Sequence, residues 1–466
     1  MWRSQTLIVA LAACLMAVAP AQAILNNTVT QWEAQAQQAV RSIGIQNQLS
    51  NRLYGLVALA QLHAIEKLST LDPVIAAGGA GHAVLSILFP SNQSAEYDGL
   101  LKKQLDAATG GKALTDAQKA GLKAAAALAG DLVRNHTGGA SAEYSGFKFG
   151  APGPFVYQLA PGQKYALYPQ LGNAKPFVVP QPELSAIVTN TDAAKGPVFK
   201  VPPISDYETA RKLGANTTDK ALGETALFWA DGANTSAISG HWLDIAKRVL
   251  PSTLSVKDSA LFFAKAFTGA WDASIAAWKI KYSTLHWRPV TAFRAGYTGP
   301  DGPVAADKEW TGFLTRTPPH PEYPSGHQAT VGALLEALVR QLGTDKVEFS
   351  IGSEGTPFLP ERKYTDLTTP AVEVGDSRLY GGVHFNTSNV DGLIVGRVVA
   401  SKAWDSPFWN TKAAASAPAK ASTPAAKPSA PKAGSPKPSA PKAGASPKPD
   451  AAKPAAPTDK PAATKP

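Results

Sequence analysis

The sequence predicts an all-α protein, a large helical bundle with long connections rich in proline and glycine. Apolar residues recur at intervals of three and four along several long segments, whereas the alternation typical of strands is scarce. With 466 residues, 44% of them hydrophobic, the chain can bury a large core and has room for two or three domains.

The first 23 residues have the composition of a secretory signal peptide. An arginine precedes an apolar run that ends in Ala-Gln-Ala, a small-x-small cleavage pattern. We therefore expect a mature chain that begins near Ile24 and is secreted to the extracellular space, with an organelle lumen as the other destination left open. No later apolar stretch is long enough to be a transmembrane segment.

The predicted mature chain contains no sulfur, because Cys14, Met1 and Met16 all lie within the signal peptide. The protein is therefore expected to fold without disulfides. The missing methionines have two interpretations. One is biased coding, and the other is selection against side chains that a strong oxidant would attack first.

The mature chain divides into three regions. Residues 24–205 are predicted to form an N-terminal helical region followed by wrapping loops, and residues 206–411 a catalytic helical bundle. Residues 412–466 consist mainly of Ala, Pro, Lys, Ser and Gly, so they are predicted to be a disordered tail.

The net charge of +10 does not indicate nucleic-acid binding, because the tail carries most of it. The tail has ten lysines against two aspartates, which leaves the body nearly neutral. The tail is either a spacer or a segment that contacts acidic polymers, and the oligomeric state is left open. Six sequons are compatible with a glycoprotein: Asn26, Asn92, Asn135, Asn216, Asn234 and Asn386.

The helical elements follow one another from the N-terminal region onward. Four segments there have the three-and-four pattern: AQAQQAVRSIG, RLYGLVALAQLHAIEKL, AVLSILF and DAQKAGLKAAAALAGDLVRN. Residues 146–205 are rich in Pro and Gly and indicate long connections. The clearest later helix is LFFAKAFTGAWDASIAAWKIKY, with one apolar stripe: Ala264, Phe267, Trp271, Ile275 and Trp278.

Three clusters of polar residues accompany the later helices. KYSTLHWRP contains Lys281 and Arg288, seven apart, which share one face if the helix continues that far. PSGH, residues 324–327, opens the apolar helix QATVGALLEALVRQLG. SRLYGGVH places Arg378 six residues before His384.

Together these clusters predict a site for a tetrahedral anion such as phosphate. Three cations supply charge and donors, and arginine offers two parallel donors to an oxyanion. Ser325 adds a hydroxyl and Gly326 an unobstructed N–H at a helix start, where free N–H groups favour anions. Two histidines remain, one to contact the central atom and one to move protons.

The same residues support a resemblance. Lys-x6-Arg-Pro (281–289), Pro-Ser-Gly-His (324–327) and Ser-Arg-x5-His (377–384) resemble the three-part signature of vanadium-dependent haloperoxidases and type 2 phosphatidic acid phosphatases. LFWADGANTSAISGHW, DASIAAWKIKY, WRPVTAF and HPEYPSGHQA resemble the haloperoxidase branch. The similarity covers roughly residues 45–400.

The resemblance implies a cofactor, a reaction and a role for each residue. The cofactor is vanadate, a Lewis acid that polarises hydrogen peroxide for attack by halide, with no haem, divalent metal or nucleotide. Small organic molecules are the expected acceptors of the hypohalous product. His384 would be the axial vanadium ligand and His327 the acid–base group. Five residues would bind the equatorial oxygens of vanadate: Lys281, Arg288, Ser325, Gly326 and Arg378.

One position departs from the family pattern. The family commonly has an aspartate four residues after the axial histidine, where this chain has Ser388. The nearest acid is Asp391, which would either orient the His384 ring from a shared helix or cap a helix that starts at Ser388.

Two further residues are candidates for the halide pocket. His320 stands where algal bromoperoxidases have histidine and the fungal chloroperoxidase has phenylalanine, and Trp278 could form a second wall. An apolar ring would favour chloride by drying the site, so His320 predicts oxidation of bromide and iodide in preference to chloride.

Three functions are compatible with the sequence. The first is a secreted vanadium haloperoxidase. The second is an acid phosphatase of the same superfamily, in which His384 attacks phosphorus and His327 protonates the leaving group. The third is a wall or matrix protein that acts through its tail. The absence of a spanning helix and the long stretch before Lys281 favour the first.

Overall fold

The computed structural model describes residues 23–45, 47–90, 94–136, 147–215, 218–299 and 301–410. All but the last residue of the predicted signal peptide, and the whole predicted tail, lie outside these ranges. The chain divides into two units at Thr411, and the described residues belong to the first. No helix within them is long and apolar enough to cross a membrane.

The described residues are mostly helical, so the all-α prediction is confirmed. The helices are α1 (Thr28–Ile43), α2 (Asn47–Lys67), α3 (Pro73–Leu88), α4 (Ser94–Thr109), α5 (Asp116–His136), α6 (Gln181–Val188), α7 (Ser205–Gly214), α8 (Lys220–Phe228), α9 (Ala237–Val249), α10 (Val256–Thr284), α11 (Pro289–Ala295), α12 (Gly326–Leu342), α13 (Thr368–Tyr380) and α14 (Asn386–Trp404). Two small antiparallel hairpins pair β1 (Tyr297–Gly299) with β2 (Gly302–Val304) and β3 (Phe349–Ile351) with β4 (Arg362–Tyr364).

Helix α10 is the centre of the core. It packs against α2 on one side and against α12 and α14 on the other. Its predicted apolar stripe is buried throughout, from Ala264 to Trp278. Such a helix, apolar on nearly all faces, is stable only when other helices surround it.

One hydrophobic cluster extends from Leu25 to Ala403 and so includes residues on both sides of position 205. Within it, α3 packs against α2, α4 and α5 to form the N-terminal part. The N-terminal helices and the later bundle therefore share one core, and the domain boundary at 205 stays a prediction.

The segment predicted as loops wraps closely around α10. It contains α6 and two short 3-10 helices, Leu171–Asn173 and Ala193–Lys195, which the loop prediction missed because they are shorter than a periodic pattern can reveal. The buried Asp272 carboxylate of α10 accepts hydrogen bonds of 2.7–2.9 Å from three consecutive backbone N–H groups, those of residues 177–179. These bonds fix the segment to α10, since each donor would otherwise be buried without a partner.

Helices α12 and α14 come into backbone contact at glycines. A Cβ on Gly396 would lie 2.2 Å from the carbonyl oxygen of Ala329, and one on Gly332 would lie 2.2 Å from that of Leu393. Near the start of α12, a Cβ on Gly392 would lie 2.6 Å from the carbonyl oxygen of Ser325. These contacts fix the start of α12 relative to α14.

We predict that Gly396→Ala lowers the free energy of unfolding by about 1–3 kcal/mol, because the added methyl group forces the two backbones apart. Gly99→Ala is the matched control. A Cβ at this exposed position of α4 meets nothing within 4 Å. The control should be neutral or stabilise by about 0.5–1 kcal/mol. Denaturant unfolding measures both, and equal stability of the two variants would contradict the close contact.

Candidate anion-binding site

The residues predicted for the site converge in the core of the bundle. Lys281 lies in the last turn of α10, Arg288 is the N-cap of α11, and Arg378 lies in the last turn of α13. Ser325 caps α12, whose first two residues are Gly326 and His327. The remaining members are His384, just before α14, and the pair His320 and Trp278. All nine of these residues are buried.

Lys281 and Arg288 reach the site by a route other than the one predicted. Helix α10 ends at Thr284, and Leu285 adopts a left-handed conformation with φ 47°. Arg288 therefore does not extend the helical face that carries Lys281. The turn at Leu285 brings the two side chains together, so the prediction of a shared helical face is wrong although both residues lie at the site.

The hydrogen bonds of His384 determine which ring nitrogen carries the hydrogen. Nη1 of Arg288 lies 3.1 Å from Nε2 of His384. A guanidinium can only donate, so Nε2 is the acceptor and the hydrogen of the neutral ring is on Nδ1. Nδ1 lies 2.8 Å from Oε1 of Glu322 and donates to it. The lone pair of Nε2 thus points toward Nη1 of Arg288.

Glu322 is the functional residue that the sequence reasoning missed. It is fully buried, and its carboxylate also accepts hydrogen bonds from the Phe385 N–H (3.0 Å) and the Ser388 hydroxyl (2.6 Å). Burial raises its pKa to about 7, while Arg288 and its hydrogen-bond donors act in the opposite direction. The sequence signal that could have identified it is an acidic residue between Pro321 and Tyr323, in a loop rich in proline and aromatic residues.

Asp391 neither orients His384 nor caps a helix, the two roles predicted for it. Its carboxylate accepts a hydrogen bond of 2.5 Å from the Tyr323 hydroxyl. The interpretation as a partner of His384 is wrong, because α14 begins at Asn386 and His384 lies before it, so the two share no helical face. The capping interpretation is also wrong, since the helix starts two residues before Ser388.

His327 lies at the start of α12, near one backbone carbonyl oxygen and one side-chain amide. Its Nε2 is 3.3 Å from the Ala230 carbonyl oxygen and 3.4 Å from Nδ2 of Asn47, a residue of α2. Burial, together with Arg378, lowers the pKa of His327 well below its usual value. The ring is therefore neutral in the protein without a bound anion. A bound anion would favour its protonation.

Among the cations of the site, Arg378 has two donors without a partner. Nε and Nη1 of Arg378 are buried without a hydrogen-bond partner. Nζ of Lys281 donates to the carbonyl oxygens of Pro321 (2.8 Å) and Glu322 (2.9 Å), and burial lowers its pKa well below the usual value. Burial lowers the pKa of Arg288 and of Arg378 to about 10, which leaves both charged at neutral pH.

These features fit a tetrahedral oxyanion. Buried, unpaired guanidinium donors require an acceptor, and a polyanion would also offset the mutual repulsion of the cations. A Cβ on Gly326 would lie 3.0 Å from both Gln48 Nε2 and the Trp278 ring, so a side chain at this position would have to displace these neighbours.

His320 and Trp278 form one side of the site. Their ring centroids are 4.9 Å apart. Nη2 of Arg288 donates to Nδ1 of His320 (3.1 Å), which places the hydrogen of the neutral ring on Nε2. Burial, then Lys281 and Arg288, lower the pKa of His320 well below its usual value. His320 therefore orients Arg288 as a neutral ring.

The comparison with family models identifies the later bundle. Residues 260–408 match the model described as the VCPO second helical-bundle domain. This part of the chain is similar to that domain. The vanadium chloroperoxidase of Curvularia inaequalis is 30% identical in an alignment of 156 residues that covers 28% of this chain and 25% of that protein. The aligned stretch thus spans a quarter of this curated relative.

Two solved structures share the haloperoxidase fold over most of the chain. A bacterial vanadium-dependent iodoperoxidase has a TM-score of 0.65 at 19% identity, over 83% of this chain and 98% of that one. A bacterial vanadium-dependent chloroperoxidase in its holo form has a TM-score of 0.59 at 19% identity, over 82% and 97%. The fold therefore extends beyond the matched domain into the N-terminal helices.

We predict that Arg378→Ala weakens the binding of orthophosphate or vanadate roughly 10- to 100-fold, the usual effect of losing charge-assisted hydrogen bonds. Isothermal titration calorimetry measures the affinity. Arg397→Ala is the matched control, because Arg397 on α14 is exposed and pairs with Glu336. The assignment of an anion site is wrong if both variants bind as the wild type does.

Proposed function

We propose that this protein is a vanadium-dependent haloperoxidase, which uses hydrogen peroxide to oxidise halide to hypohalous acid. One set of observations carries the proposal. The Nε2 lone pair of His384 faces Nη1 of Arg288, and the buried Arg378 has two donors without a partner. Such a site offers one nitrogen ligand and several oxygen-binding donors, which is the ligand set that vanadate requires. The match of residues 260–408 to the VCPO second bundle supports the same reaction.

Each residue has a role in this proposal. His384 would bind vanadate through Nε2. The oxygens of vanadate would be held by Lys281, Arg288, Ser325, Gly326 and Arg378. When bound, vanadate supplies a Lewis acid that polarises hydrogen peroxide.

The protein itself supplies positioning and proton transfer. His327 accepts a proton from hydrogen peroxide as it binds and returns it to the departing oxygen. Its neutral state, caused by burial, prepares it to act first as a base. Trp278 and the surrounding apolar core exclude water, which strengthens each electrostatic contact in the site.

The acid phosphatase is the second candidate, and the Nε2 lone pair of His384 also supports it. The hydrogen bond from Nδ1 to Glu322 would prepare Nε2 to attack phosphorus, and His327 would then protonate the leaving alkoxide. The two functions use the same residues and differ in the oxyanion that the site retains.

One assay separates the candidates. The purified protein is measured with vanadate, hydrogen peroxide and bromide, and in parallel with a phosphate ester without vanadate. We expect bromide oxidation that depends on vanadate and that phosphate suppresses by competing for the site. Ester hydrolysis without peroxidase activity would favour the phosphatase. Peroxidase activity that survives chelation and phosphate treatment would contradict both assignments.

We further propose that the protein is secreted and glycosylated. Four of the six sequon asparagines lie in the described ranges and are exposed: Asn26, Asn135, Asn234 and Asn386. The other two, Asn92 and Asn216, lie outside those ranges. Mass spectrometry of protein from the culture medium tests cleavage near Ile24 and sugar at the sequons, with none expected at Asn386, which lies two residues from His384.

Replacing the two histidines should separate binding from turnover. We expect His384→Ala to lose vanadate affinity, because it removes the nitrogen that would bind vanadate. We expect His327→Ala to retain vanadate but to lower turnover by about 100-fold or more, because proton transfer is lost. Equilibrium dialysis gives the affinity and steady-state kinetics the turnover. Equal loss of vanadate by both variants would contradict this division.

Halide choice is expected to depend on His320. We expect the wild type to oxidise bromide and iodide with weak chloride activity, and His320→Phe to raise the chloride-to-bromide ratio, since the phenyl ring makes the site drier. His63→Phe is the control, at a half-buried histidine of α2 that contacts Phe408. Efficient chloride oxidation by the wild type would refute the assignment.

A further inference from the structure

The carboxylate that contacts His384 comes from the loop before α12 and not from α14. The position four residues after it is Ser388, which cannot supply a carboxylate from α14. In the structure, Glu322 from the loop before α12 occupies that place, with Oε1 at 2.8 Å from Nδ1 of His384 and Oε2 at 2.6 Å from Oγ of Ser388.

We infer that Glu322 is the positioning residue that fixes the tautomer and orientation of His384, and that Ser388 holds the Glu322 carboxylate in place. The inference rests on the proposed function only where it takes His384 to contact the bound oxyanion. It holds equally for an axial ligand and for a phosphorus nucleophile.

Three donors hold the carboxylate in one orientation. The Phe385 N–H and the His384 Nδ1–H both donate to Oε1, and the Ser388 hydroxyl donates to Oε2. A carboxylate that accepts from Nδ1–H keeps the hydrogen away from Nε2 and makes Nε2 a better electron donor. Arg288, at 3.1 Å from Nε2, is compatible only with this tautomer.

The backbone of Glu322 connects the same group of residues. Its N–H donates to the His286 carbonyl oxygen (2.9 Å), and its own carbonyl oxygen accepts from Nζ of Lys281 (2.9 Å). The backbone contacts hold the residue against α10, and the side chain reaches across to α14. A displacement of His384 relative to Lys281 would therefore strain bonds at both ends of Glu322.

Asp391, the acid predicted for this role, is engaged by Tyr323. Tyr323 follows Glu322 directly in the chain. Among the described contacts of His384, the carboxylate that accepts from its ring is that of Glu322. Glu322, from the loop before α12, thus takes the role of orienting His384 that was predicted for Asp391 of α14.

The first test observes His384 without any cofactor. Nitrogen-15 NMR of the histidine-labelled protein, assigned with His384→Ala, reports which ring nitrogen carries hydrogen. We expect a protonated Nδ1 and a bare Nε2 in the wild type. In Glu322→Ala, we expect a larger fraction of rings with the hydrogen on Nε2, because only the Arg288 contact then opposes that tautomer. A protonated Nε2 in the wild type, or an unchanged His384 spectrum in Glu322→Ala, would overturn the inference.

The second test measures vanadate affinity. Glu322→Gln keeps an acceptor of the same size but loses the charge, and it should weaken binding about 10- to 100-fold, the usual effect of changing a partner of a metal-ligating histidine. Glu33→Gln is the matched control, because Glu33 is equally buried, has no hydrogen-bond partner and lies on α1. Wild-type affinity in Glu322→Gln would overturn the inference.

A rescue variant distinguishes positioning from a general loss of structure. Glu322→Ala/Ser388→Asp places a carboxylate four residues after His384, in the space that Glu322 leaves. We expect it to restore the wild-type tautomer and most of the affinity that Glu322→Ala loses. Loss of both in a folded double variant would show that the loop carboxylate has another role. If the NMR and binding results hold but no halide is oxidised, the proposed function fails and the inference stands.

Discussion

The hydrogen bond between Glu322 and His384 is the contact on which the arrangement of the site depends. It joins a loop before α12 to the connection before α14, and it does so within a buried group of cations. The desolvation cost of burying this carboxylate is only partly offset by its hydrogen-bond donors and by Arg288 and Lys281, since its pKa is still raised to about 7. The direction of the Nε2 lone pair, and with it the position of a bound oxyanion, follows from this contact.

Much of the site could be predicted from the sequence because its residues lie in three short motifs. The first and third motifs pair a cation with a second charged or titratable group at a short spacing: Lys281 with Arg288, and Arg378 with His384. In the second motif, which ends in His327, the start of α12 is visible as a serine before an apolar helix. The all-α class was visible for a similar reason, since long helices such as α10 bury periodic stripes.

The remaining features depend on contacts between distant segments. No local pattern shows that Leu285 turns the chain or that Ser388 donates to a glutamate 66 positions earlier. Helical geometry led to Asp391 because it assumes that His384 belongs to α14. The helix instead begins at Asn386, and a shift of two residues is enough to change the partner of the histidine.

The contact of Asn47 with His327 has a consequence for dissecting the molecule. Asn47 begins α2, far outside residues 260–408, yet its amide lies 3.4 Å from the imidazole, and the neighbouring Gln48 closes the space over Gly326. The matched domain is thus not a self-sufficient module. A fragment cut at residue 260 would lose part of the enclosure around His327 and expose the face of α10 that α2 covers. Chimeras of this protein should therefore exchange α2 together with the later bundle.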